Sequence, residues 1–287
     1  MTAEPDDFSH LDRLGAATAG LALRSRTVVI AAVMLALVLS WSALFVMAAS
    51  TEAADGPGMN LLPALPEWLS VRLVTFVSLC LTPVETPAST LVKFAALTLM
   101  WMLGSVAMML PSAAPMLRTY CEIADTAAAK GEPAVNPLVL LSGYLTVWLG
   151  ASLLFALLAV VLDGVVAGPA AIGTGALMLA IAGAYQFSPL KQACLRKCRR
   201  PFAILFARWS TRPGKIWRLG AEQGVWCLGC CWALMLVMFA VGLMNLFWMA
   251  LIALFAIVEK QAGDRVPTFA AGAILLVWAA ALLVSSP

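Results

Sequence analysis

Five of the seven cysteines fall within 38 residues: Cys194 and Cys198, then Cys227, Cys230 and Cys231. The first two stand four apart, so on a helix they share a face. Gln223, Cys227, Cys230, Cys231 and Met238 also fall on one stripe at helical spacing. Thioethers supply another stripe with Met102, Ser105, Met109, Ser112 and Met116, where Pro111 and Pro115 free backbone carbonyls. Thiolates and thioethers select Cu(I), while four thiolates also suit Zn(II) or an iron–sulfur cluster. His10 is the only histidine and lies in the N-terminal tail, so the imidazole sites usual for Zn(II) or Cu(II) are absent from the apolar segments. The candidate metal ligands are therefore Cys194, Cys198, Cys227, Cys230 and Cys231, with Met109 and Met116 as weaker ones.

A buried cysteine or methionine standing alone is ordinary packing. Cys80, Cys121, Met235, Met244 and Met249 are read that way. Gly220, Gly224 and Gly229, with Ala221, suit close helix approach. Lys191, Lys197 and the neighbouring arginines are expected to lower the thiol pKa values and favour thiolates. The same cysteines permit a second chemistry, thiol–disulfide exchange through Cys227 and Cys230. A third reading makes them a small metal clip in a structural subunit of a larger membrane complex.

The elements that must position these residues are membrane helices. The chain is 287 residues long, 62% hydrophobic and only 11% charged, with a mean hydropathy of +0.94. This composition predicts an all-α, polytopic transmembrane bundle. Apolar runs lie at Thr27–Ala49, Leu91–Pro111, Pro137–Leu162, Val166–Phe187, Glu222–Val241, Asn245–Val258 and Thr268–Val284. That makes seven spans, or six if the short run after Gly242-Leu243-Met244-Asn245 continues the fifth as a kinked helix. As a hairpin, that turn would use the left-handed tolerance of Gly and Asn. Residues 1–26 form a tail, and 27–287 a single transmembrane domain. The first run exceeds the ~7–15 residue core of a cleaved signal and reads as a retained helix.

Positive charge orients the bundle. With the N-terminus in the cytoplasm, sixteen Lys and Arg fall inside and only Arg72 and Lys93 outside. Residues 50–90 are then an outer loop, in which Glu67–Leu81 is apolar enough to lie on the surface. Residues 188–220 are a basic cytoplasmic segment between spans four and five, read as an amphipathic surface helix broken by Pro201 and Pro213. Anionic lipid accounts for its basic run. Glu222 is expected to assist a metal or pair with Arg218, and Glu259 and Lys260 to pair or snorkel at the interface. The lack of charge in mid-membrane argues against a proton pump. The net charge of +3 does not argue for nucleic acid, and no phosphate loop, Ser/His/Asp set or metalloprotease motif is present.

Three stretches carry a resemblance. They are Ala107-Met108-Met109-Leu110-Pro111-Ser112, the run from Tyr185 through Cys194-Leu195-Arg196-Lys197-Cys198-Arg199, and Cys227-Leu228-Gly229-Cys230-Cys231-Trp232 continuing to Met244-Asn245-Leu246 and Glu259-Lys260. They resemble a bacterial family of predicted metal-binding integral membrane proteins, some labelled copper chaperones. The resemblance covers most of residues 91–284, and the N-terminal 90 residues carry no matching motif. It implies metal binding. Together with the residue chemistry it leads to an expected multi-pass protein of the bacterial inner membrane. The expected role is handling a soft metal, Cu(I) first, and delivering it to a membrane or metallochaperone partner, not turning over an organic substrate.

Overall fold

The computed structural model describes residues 25–55, 90–130, 133–166, 171–242 and 245–285. Among these residues there are nine helices and no strand. In chain order they are α1 (Ser25–Asp55), α2 (Thr90–Ala129), α3 (Pro137–Val166), α4 (Ala171–Gln186), α5 (Pro189–Cys198), α6 (Pro201–Ala207), α7 (Pro213–Val241), α8 (Leu246–Gln261) and α9 (Val266–Ser285). Segments this apolar must satisfy their backbone groups internally, which in lipid means helices. Five are long and apolar enough to cross a membrane: Thr27–Phe45, Thr90–Ala127, Pro137–Leu162, Pro213–Val241 and Val266–Val284. The apolar part of α4, Ile172–Gln186, is shorter, and α8 has 16 residues against the roughly 20 a crossing takes. Outward faces carry bare apolar side chains such as Leu154 on α3 and Val277 on α9.

Prolines punctuate the basic segment, since Pro189, Pro201 and Pro213 each open a helix. A proline at the first helical position lacks only an N–H that would be unpaired there anyway. The expected breaks at Pro201 and Pro213 are therefore present. The helix that carries the cysteines, however, begins at Pro213 and not at Glu222, so the end of the presumed loop is helical. Also, α5 does not lie free on the surface. Its inner face buries Lys191, Gln192, Cys194 and Leu195 against the bundle, while Arg196 and Lys197 face out.

At the turn after α7, Gly242 does adopt a positive φ of 100°. Asn245 instead caps α8, its side chain accepting from the Trp248 N–H. The outer loop beyond Asp55, with Glu67–Leu81 and Cys80, lies outside the described residues, as does Met244.

The core is built on α3 packed against α7, with α2 against α3, α1 and α8 against α2, and α4 between α7 and α9. Trp101 of α2 stacks on Phe155 of α3 and Phe239 of α7, with ring centroids 4.8 and 5.5 Å away. Glycine sets the α3–α7 approach. A Cβ at Gly220 would lie 1.9 Å from the Leu140 carbonyl oxygen, so the two backbones touch. Backbone cannot give way as a side-chain tip can, and overpacking already costs about 1–3 kcal/mol in yielding cores. Gly220→Ala is accordingly expected to lower the thermal midpoint of detergent-solubilised protein by several degrees, whereas Gly214→Ala, with open space around it, leaves it in place.

Candidate metal centre

Helix α5 is the element that brings the two cysteine groups together, and its placement is over-determined. Ser188 caps it, accepting from the Lys191 N–H. The Lys191 ammonium sits 2.8 Å from the Glu259 carboxylate, and the two side chains are 0% and 1% exposed. Thr268 donates a further hydrogen bond to Glu259. At the other end of α5, the Arg199 guanidinium donates to the carbonyls of Glu259 and Asp264. Both ends of the short helix are thus tied to the end of α8 or the α8–α9 connection. Its middle rests on α7, where Gly229 makes room: a Cβ there would come within 2.6 Å of the Cys194 sulfur.

The sulfurs then fall into a chain. Cys198 Sγ of α5 and Cys230 Sγ of α7 are 4.0 Å apart. At the next residue of α7, Cys231 Sγ lies 3.5 Å from Met109 Sδ of α2. The thiols of Cys230 and Cys231 both donate to the Cys227 carbonyl. Cys194 is buried against Gly229, beside this line. Met116 is buried and lines a cleft with Cys198. Met109 is held by its own carbonyl, which accepts from Ser112 Oγ and Tyr144 Oη. Cys121 is buried in the core. Gln223, Cys227, Cys230, Cys231 and Met238 are all buried, as one stripe requires.

Three side chains at this site escaped the sequence reading. Tyr144 Oη is 3.0 Å from Cys227 Sγ. Lys260 does not snorkel outward; its ammonium donates to Cys227 Sγ at 3.1 Å and to Ser112 Oγ at 2.6 Å. Ser112 was on the thioether stripe but had no assigned role. A phenol within an apolar run was the available signal for Tyr144, because a buried hydroxyl needs a partner. For Lys260 no local signal existed, since a lysine at a helix end ordinarily reaches for water.

The electrostatic expectations need correcting. Glu259 pairs with Lys191, not with its neighbour Lys260. Glu222 pairs with Arg208, not Arg218. Nor do the α5 thiols end up lowered: Lys260 pulls Cys198 down but is outweighed. Burial and then the Cys230 sulfur push Cys194 up. Cys198 is held well above the ordinary thiol range, first because Cys230 accepts its hydrogen bond and then by burial. The cation meant to favour a thiolate, Lys191, is spent on Glu259.

The donor set fits a soft ion better than a hard one. Two metal–sulfur bonds of ~2.3 Å reach across a gap like that between Cys198 and Cys230. Among the described residues, no three His, Cys, Asp or Glu side chains stand together as a ready-made metal site. The Cys198–Cys230 and Cys231–Met109 contacts are pairs, thiol with thiol and thiol with thioether.

A family model described as copper chaperone, PpoB2, matches residues 98–282. The matched range contains all seven candidate ligands as well as Tyr144 and Lys260. No curated protein and no solved structure matches the chain.

Proposed function

The chain belongs to the copper chaperone family, and from that premise we propose that it binds Cu(I) as cargo in the bacterial inner membrane and passes it to a protein partner. The ligands are Cys198, Cys230, Cys227 and Cys231, with Cys194, Met109 and Met116 as supporting donors. The observation that carries this reading is the 4.0 Å approach of Cys198 and Cys230, 32 residues apart in sequence and on different helices. The sulfurs beyond it, through Cys231 to Met109, give an ion further soft positions deeper in the bundle. In this reading α4 and α8 join the five long helices as spans, the N-terminus is cytoplasmic, and the site lies at the cytoplasmic end, where thiols stay reduced.

The test is copper content after anaerobic loading of purified protein. Wild type is expected to retain copper through desalting, and Cys198→Ser/Cys230→Ser to retain almost none. Equal, negligible copper in both would sink the proposal.

The protonated α5 thiols set a pH dependence. Metal must displace each ligand proton, so binding releases protons and tightens as pH rises. Cys198 and Cys194 keep their protons above the usual thiol range, so the trend continues through neutral pH. Copper affinity is expected to rise by up to about tenfold per pH unit for each proton displaced. A competition titration against a copper chelator at pH 6, 7 and 8 measures the slope.

One contact favours a second reading. The thiols of Cys198 and Cys230 approach to 4.0 Å, whereas the exchange pair expected from sequence is Cys227 and Cys230. In an oxidoreductase, Cys230→Ser would trap a mixed disulfide at the partly exposed Cys198; a copper carrier yields none.

A further inference from the structure

Four of the five clustered cysteines are buried, and Cys198 alone is partly exposed. It lines a cleft of about 280 Å³ together with Met116, Ser112 and Lys260. A second cleft, of about 450 Å³, adjoins the first and shares Arg199, Lys260 and Gln261 with it. Arg196, Arg200 and Arg265 stand in this outer cleft, and neither lining contains an acidic residue. All three arginines are exposed and make no ion pair among the described residues. Gln192 also lines the outer cleft, is more than nine-tenths buried, and leaves its amide nitrogen without a hydrogen-bond partner. The open volume falls in the range of small-molecule sites, ~300–1,000 Å³.

An unneutralised basic cleft with a spare donor calls for an anion, and its inner end opens on a thiol. Resting on the copper reading above, we propose that the outer cleft receives a small carboxylate-bearing thiol that brings the metal to Cys198. A soft ion among thiols travels ligand-bound, so its transfer is an exchange of ligands. The carboxylates pair with the guanidinium forks of Arg196, Arg200 and Arg265. This holds the carrier with its sulfur toward Cys198. The metal–sulfur bond to the carrier breaks as the bond to Cys198 forms. The Cys198 proton leaves on the carrier's sulfur, and the metal keeps its oxidation state. Met116 and then Cys230 stand next to receive it.

The test uses full-length protein in neutral detergent under anaerobic conditions. Cu(I) is offered either as its complex with reduced glutathione, a carboxylate-bearing thiol, or with dithiothreitol, an uncharged one. Wild type is compared with Arg196→Gln/Arg200→Gln/Arg265→Gln, whose exposed positions leave the fold intact. Uptake from the glutathione complex is expected to slow at least tenfold in the variant and to fall steeply with salt in wild type. Uptake from the dithiothreitol complex should not change. Equal effects on both carriers, or none on either, would overturn the proposal and leave the copper reading standing. Loss of the glutathione preference when phosphatidylglycerol is added would assign the cleft to an acidic lipid head group and overturn it too. Absence of uptake by wild type from both carriers would overturn the copper reading, and this proposal with it.

Discussion

Cys230→Ser is expected to weaken Cu(I) binding at least about 100-fold, close to 2.7 kcal/mol, while the protein keeps its fold. Cys230 sits at the junction of the sulfur chain. Its Sγ faces Cys198 across 4.0 Å, and its thiol shares the Cys227 carbonyl with Cys231. Serine nearly preserves the volume and the hydrogen bond to that carbonyl but replaces a soft donor by a hard one, which Cu(I) disfavours. Cys194→Ser provides the contrast. Its sulfur rests on Gly229 beside the line, so the substitution should cost less than tenfold. Tyr144→Phe, which removes a group that orients Cys227 without being a ligand, should fall between them. Competition with a chromophoric Cu(I) chelator gives all three affinities. Similar losses for Cys194→Ser and Cys230→Ser would show that the two sulfurs contribute equally, against the geometry.

Glu259→Gln should destabilise the protein by about 3–5 kcal/mol, because it leaves the Lys191 ammonium buried without its counter-charge. Neither group can reach water, with side chains 0% and 1% exposed. The loss should also loosen α5, since Lys191 on that helix loses its counter-charge and only the Arg199 contact to the Glu259 backbone carbonyl remains. Copper retention would then drop with every cysteine still in place. Replacing both partners, as Lys191→Met/Glu259→Leu, removes the stranded charge and should recover most of the stability. Thermal unfolding in detergent and copper content, read on the same preparations, separate the two effects. A Glu259→Gln protein as stable as wild type would contradict a buried ion pair here.

Much of the architecture was legible in the linear pattern, because hydropathy and helical spacing are local properties. The apolar runs, the breaks at Pro201 and Pro213, the turn at Gly242 and the cysteine stripe on α7 follow from residues within a few turns of one another. The close approach at Gly220 was legible too, since Gly220, Gly224 and Gly229 with Ala221 give one helix a set of small residues suited to close packing. Less was legible in the polar chemistry. The sequence reading treated Lys191 as a surface anchor and Lys260 as an interfacial snorkel. Their actual partners, Glu259 and Cys227, lie 68 and 33 residues away along the chain.

The residue types settle what chemistry is available: soft sulfur donors, no imidazole within the apolar segments, and an apolar chain whose backbone must be helical. Folding decides which of those donors meet. Cys198 and Cys230 become neighbours only because α5 is pinned by Glu259 and Arg199 and fits over Gly229. Met109 reaches Cys231 only because α2 and α7 share a core, across 122 residues of sequence. Helical periodicity acts over a few residues, whereas a charge buried in an apolar bundle must find its counter-charge wherever the chain brings one. The stripes are therefore a property of the sequence, and the centre they form is a property of the packing.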